Sequence, residues 1–132
     1  VSLRTPSTAL LVLGILLAGC SSPRQVSAPP RGGSALDRME RLTLAANRCW
    51  FKSGDPAFAS YSLAPELSSF SGRPRFLLVP KGRPEAKPLL VVEGRNGSSS
   101  VDTYGPVMDT ALGGRVGADI RRWNGGATGC SA

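Results

Sequence analysis

The chain contains no histidine, and that absence removes most of the usual routes to hydrolysis. Ser-His-Asp and Cys-His systems need an imidazole to take the nucleophile's proton, and the common hydrolase zinc sites use it as a ligand. The motifs G-x-S-x-G, S-x-x-K, G-x-x-x-x-G-K-[ST] and G-x-G-x-x-G are also missing. Gly113-Gly114 with Gly117 lacks the dinucleotide spacing and reads as a bend between elements. Acids are scarce, nine Asp and Glu against sixteen Lys and Arg, and aromatic residues make up only 6%. The one catalytic design left is a carboxylate pair. Glu93 and Asp102 flank the Asn96-Gly97 turn, where an acid and a base could stand about 5 to 10 Å apart, as in glycosidases. Exposed acids on a hairpin ordinarily just solvate it. The sequence therefore assigns no catalytic residue, no cofactor and no metal ligand, and the chain reads as a protein that is not an enzyme.

What is present begins with an apolar run from Ala9 to Ala18. It is preceded by a single charge at Arg4, ends in Leu17-Ala18-Gly19-Cys20 and is broken at once by Ser21-Ser22-Pro23. The run is too short for an ordinary membrane span. Its charge order and the small residues before Cys20 resemble the lipobox signal peptide of bacterial lipoproteins. That resemblance covers residues 1–20 and implies export, acylation of Cys20 (palmitate among the chains) and cleavage before it. Several acyl chains would hold the protein permanently on a membrane, where one would not. Ser21, rather than an aspartate after the lipidated cysteine, points to the outer membrane facing the periplasm.

Three segments follow: a signal peptide at 1–19, a lipidated cysteine with a tether at 20–34, and a domain at 35–132. The tether is rich in Pro, Ser and Gly and reaches ~20 Å on average, ~45 Å drawn out. The remaining ~100 residues make one domain with one modest core. With Cys20 taken by lipid and the rest of the chain exported, a Cys49–Cys130 disulfide is the economical inference. Two free thiols or a metal pair are the rivals, and two thiolates without histidine make a poor zinc site. Closing a loop of about 80 residues would contribute up to about 4.5 kcal/mol in the chain-entropy model.

Ser34 and Asp37 form a capping box at the start of a helix expected to run to about Phe51. Leu36, Met39, Leu42, Thr43, Ala46, Cys49 and Trp50 define its apolar side, with Arg38, Arg41 and Arg48 opposite and Asp37 paired to Arg41. After Gly54-Asp55-Pro56 the pattern changes to strands. Ala57 to Leu63 alternates, with Phe58 on the wetter face, and Phe76–Val79 and Leu89–Val92 are continuous apolar runs. The polar turn Lys81–Lys87 joins these two runs antiparallel, and Asn96-Gly97 predicts a tight hairpin into Ser98–Tyr104. Gly113-Gly114 interrupts the segment that follows. Val116, Ile120 and Trp123 then make a short C-terminal helix, with Arg115 and Asp119 paired on its wet side. The fold class is α+β: an antiparallel β-meander of about four strands, one face covered by an N-terminal helix and a short C-terminal helix.

The net charge of +7 is carried mostly by arginine. Export removes nucleic acid as the partner and leaves lipid headgroups, lipopolysaccharide phosphates and peptidoglycan carboxylates, all suited to the guanidinium fork. The candidate binding residues are Arg73, Arg75, Lys81, Arg83 and Lys87 around the central hairpin. Arg121 and Arg122 form a second group beside Trp123, and the disulfide would bring them near Trp50. Turns of a meander alternate ends, so Lys81, Arg83 and Lys87 share a tip and Arg95 lies at the other end. The expected function is a non-catalytic accessory or adapter protein, anchored to the membrane by its N-terminal lipid and binding another envelope protein. Direct binding of anionic polymer or lipid, and inhibition of a periplasmic hydrolase, are the alternatives.

Overall fold

The computed structural model describes residues 33–68 and 71–130. The signal peptide, Cys20 and nearly all of the tether therefore lie outside the described residues. Helix α1 spans Ala35–Ala46 and continues as a wider π-helical turn over Asn47–Lys52. The capping box is present: the Ser34 hydroxyl accepts from the Asp37 N–H at 3.1 Å, and the Asp37 carboxylate accepts from the Ser34 N–H at 2.9 Å. Arg41 reaches the Asp37 carbonyl at 3.3 Å rather than its carboxylate, which is already engaged by the cap.

The apolar side of α1 is the expected one except at its first member: Met39, Leu42, Thr43, Ala46, Cys49 and Trp50 are all buried, while Leu36 is not. Ala35, Met39, Leu42, Ala46 and Cys49 run along its centre, all buried. Leu36 lies about 100° from Ala35 around the helix and is 40% exposed. Arg38, expected on the wet side, borders the stripe next to Ala45 and is only 5% exposed. Its aliphatic stem lets a charged residue occupy such a boundary.

Asp55 then caps a single 3-10 turn, Pro56–Phe58, by accepting from the Ala57 N–H. This turn displaces the expected start of the first strand. Strand β1 is Tyr61–Glu66, and Phe58 points into the core rather than toward water, stacked on Trp50 at 4.7 Å between ring centroids. Strands β2 (Arg75–Pro80), β3 (Leu90–Gly94) and β4 (Val101–Tyr104) complete an antiparallel meander in the order β1-β2-β3-β4. The Asn96-Gly97 turn is present, with the Ser98 N–H donating to the Arg95 carbonyl at 3.4 Å, but it is not a two-residue hairpin. Gly94 pairs with Val101, leaving residues 95–100 as a longer loop, and the Asn96 side-chain amide donates to the Gly72 carbonyl ahead of β2.

A 3-10 turn, Pro106–Asp109, leads into α2, Ala111–Asn124. Gly113 and Gly114 lie inside this helix and do not interrupt it. Packing explains Gly113: a Cβ there would collide with the Met108 carbonyl oxygen of the preceding turn. Glycine thus trades helix propensity for a close approach. Gly105 has φ +124° and sits against the Leu89 carbonyl, where an ordinary residue is strained and has no room.

Side chains alternate across the sheet. Phe76, Leu78, Leu90 and Val92 face both helices and form one cluster with Met39, Leu42, Trp50, Val116, Ile120 and Trp123. Leu77, Val79 and Val91, with Ala64, form a second cluster on the opposite face. The architecture is α+β as expected, with α1 and α2 on one face of the meander. The disulfide between Cys49 and Cys130 is present, tying the π-helical turn to the tail beyond α2. Among the described residues no helix is long and apolar enough to cross a membrane.

Two exposed caps depend on ionised acids. Hydrogen bonds from Ser34 hold Asp37 below the ordinary value of 3.8, and Asp55 is held below it by its hydrogen bond from Arg115 and by the Ala57 N–H. A folded-state value below the unfolded one contributes stability that is complete above the unfolded value and is lost as pH falls through the folded one. Urea midpoints are expected to stay level from neutral pH to about 5 and to fall below about pH 4. The fall should shrink in Asp37→Asn/Asp55→Asn; an identical acid profile in that variant would place the titrating groups elsewhere.

Candidate functional site

Strand direction separates the basic residues that the sequence grouped. Arg73 and Arg75 stand at the start of β2, while Lys81, Arg83 and Lys87 follow its far end, ~17 Å away along the strand. At the start of β2, Arg73 donates to Glu93 at 3.1 Å, and Arg75 donates to Glu66 at 2.7 Å and approaches Glu93 at 3.8 Å. The hydrogen bond to Glu66, then the nearby charges of Glu66 and Glu93, raise the Arg75 pKa further above its ordinary value. Arg95 pairs with Asp102 at 2.6 Å on the neighbouring strand. Glu93 and Asp102 are cross-strand partners, as the carboxylate-pair idea required. Each, however, is held by arginine, and Glu93 is buried beneath two of them. Cross-strand ion pairing accounts for this end of the sheet.

The C-terminal group is also structural. Asp119, expected on the wet side of α2, is buried. Its carboxylate accepts from the Trp50 indole N–H at 2.9 Å and from Arg122 at 2.8 Å, with Arg115 at 3.8 Å. Arg122 also donates to the Gly129 carbonyl at 2.7 Å and lies over the Trp123 ring. Arg115 bonds Asp55 at 2.5 Å and covers the Phe58 ring. Trp50 and Trp123 are 5.3 Å apart inside the core, so the disulfide region does unite the two aromatic and basic clusters. Of the two arginines nominated there, Arg122 is engaged and Arg121 is exposed.

The β2–β3 loop is different. Lys81, Arg83 and Lys87 are exposed and form no ion pair among the described residues. The loop is nonetheless ordered by backbone hydrogen bonds, within it and to the neighbouring segments. The Lys81 N–H donates to Ser60, the Arg83 N–H to Pro80 and the Ala86 N–H to Arg83, and the ladder resumes with the Leu89 N–H on Leu78. Pro80, Pro84 and Pro88 restrict it further. A shallow groove of about 490 Å³ begins at Lys81 and is lined by Phe51, Phe58 and Tyr61 from the π-helical turn, the 3-10 turn and β1. The sequence located the charged tip. It missed the groove because Phe58 was assigned to a strand that starts later.

Among the described residues no cluster of three or more His, Cys, Asp and Glu could hold a metal ion. No protein-family model, curated protein or solved structure matches this chain.

Proposed function

We propose that this chain is a lipid-anchored envelope protein without catalytic activity, and that its folded domain docks another envelope protein through the β2–β3 tip. The observation that carries this reading is the exposed basic tip of Lys81, Arg83 and Lys87, whose first residue, Lys81, also lines the groove of Phe51, Phe58 and Tyr61. Protein interfaces favour aromatic side chains and arginine at anchor positions, and a pre-ordered loop loses little entropy on docking. The half-buried rings of Phe51 and Tyr61 supply contact that salt does not screen, while the cations steer an acidic partner toward them. The lipobox-like segment supports the address, and the tether would let the domain range over the nearby surface. A second reading, direct binding of lipopolysaccharide, peptidoglycan or lipid headgroups, is favoured by the same unpaired cations.

Salt separates the two. The chain is crosslinked in bacterial envelopes, captured at low and high salt, and the recovered protein and lipid are identified. One dominant protein that persists at high salt is expected. It should be lost in Lys81→Glu/Arg83→Glu/Lys87→Glu, and Cys20→Ser should leave an unprocessed or mislocalised product. Recovery of only salt-sensitive polymer or lipid would replace the adapter with the second reading.

A further inference from the structure

Strand β1 is an edge of the sheet, bonded among the described residues to β2 alone. In an antiparallel ladder, alternate residues turn their N–H and C=O groups toward the neighbouring strand. The Lys81 N–H donates to the Ser60 carbonyl, so Ser60 and Lys81 are a bonded pair, and Ser62, Ala64 and Glu66 face β2 in the same way. Tyr61, Leu63 and Pro65 therefore turn their backbone groups to the free edge. Pro65 has no N–H to offer, which leaves an open ladder made of both groups of Tyr61 and both groups of Leu63. No described residue bonds to them at that edge.

Edge strands ordinarily guard such an opening with a charged side chain, a bulge or a proline. Pro65 guards one end of β1, and nothing guards Tyr61 to Leu63. The opposite edge, β4, is shorter and carries the Arg95–Asp102 pair. The open stretch of β1 also borders the groove of about 490 Å³, with Asn47 and Phe51 of the π-helical turn among its other lining residues. Phe51, Tyr61 and Leu63 are half-buried and packed on the core, so part of each remains open to a visiting chain. Asp55 is the one acid in the lining, and it is engaged by Arg115 and the Ala57 N–H. The unpaired charge in the groove is Lys81, at the Tyr61 end of the strand.

Resting on the docking reading, we propose that the partner engages this domain by strand addition: an extended segment of the partner protein pairs antiparallel with β1 at Tyr61 and Leu63 and becomes a fifth strand of the sheet. Directly opposed residues share a face, so two segment residues, at i opposite Leu63 and i+2 opposite Tyr61, enter the groove. Apolar side chains at these positions rest on Phe51, Tyr61 and Leu63. The segment runs opposite to β1, so the residues after i+2 approach Lys81, and acids belong there. The backbone bonds supply affinity, while the alternating apolar side chains and the acids select the segment.

The probe is the capped peptide Thr-Val-Thr-Val-Glu-Glu, with an N-terminal acetyl and a C-terminal amide, titrated into the full chain and followed by NMR and amide hydrogen exchange. Exchange at the Tyr61 and Leu63 amides is expected to slow by at least about tenfold in the saturated complex. Leu63→Pro removes an N–H that β2 does not use and should weaken binding by at least about tenfold, whereas Leu63→Ala keeps that N–H and should weaken it less. No slowing at Tyr61 and Leu63, undiminished binding in Leu63→Pro, or equal loss in the two variants would overturn strand addition. Envelope capture that still depends on Lys81, Arg83 and Lys87 would then leave the docking reading in place, and capture independent of them would remove both.

Discussion

Asp119→Ala is expected to lower the unfolding free energy by about 3 kcal/mol, the range for breaking a buried, hydrogen-bonded charge network. The carboxylate accepts from two donors in different parts of the chain, the Trp50 indole on the π-helical turn and Arg122 on α2, and has the Arg115 guanidinium at ion-pair distance. Without it the Trp50 N–H stays buried with no acceptor, and Arg122 keeps its charge beside the core without an acid. Both consequences cost more than the net worth of the bonds themselves. Asp119→Asn keeps an acceptor for Trp50 but removes the charge, so a loss of about half that size is expected. Urea unfolding of the three proteins, with m-values compared, measures both steps. A loss below about 1 kcal/mol in the alanine variant would mean that water reaches Trp50 and that Asp119 does not hold the two helical segments together.

Asp119 also shows where sequence reasoning stopped. Periodicity placed Val116, Ile120 and Trp123 on the buried side of α2, and they are there. It placed Asp119 outside because an acid one position from Ile120 is ordinarily solvated. Its partner Trp50 is 69 residues away, and a pairing at that separation leaves no trace in local pattern. Local rules performed well where the determinants were local. The capping box, the strand runs of β2 and β3 bracketed by prolines, and the polar Lys81–Lys87 turn were all legible. They failed where tertiary packing overrode propensity. Gly113 and Gly114 signal a break, yet α2 runs through them; Gly113 is there because the Met108 carbonyl leaves no room for a side chain. Asn96-Gly97 makes its turn, yet cross-strand pairing resumes only at Gly94 and Val101, so the hairpin loop is longer than two residues. The charged tip could be found from spacing and turn alternation.

The second large effect is expected from the disulfide. Cys49→Ala/Cys130→Ala, or reduction of the native protein, should destabilise the domain by about 4 kcal/mol in the chain-entropy model and lower its melting temperature by on the order of 20 °C. The separation of 81 residues makes the closed loop nearly the whole described domain, so the cross-link restricts almost all of the unfolded chain. The folded state contributes in the same direction. Cys49 is buried against Trp50 in the π-helical turn, and the tail carrying Cys130 supplies the Thr128 and Gly129 carbonyls to Arg48, Arg122 and Trp123. Cys130 lies on the exposed side of the bond, so a small thiol can reach it without unfolding the core. Thermal melts with and without reductant, run beside the double variant, measure the loss. If the reduced protein and the double variant melt together about 20 °C lower, the tail bonds do not keep the domain at its native stability without the cross-link. If both lose only a few degrees, Arg48, Arg122 and Trp123 hold the tail in place without the cross-link, and the stability of this small domain resides in its aromatic core.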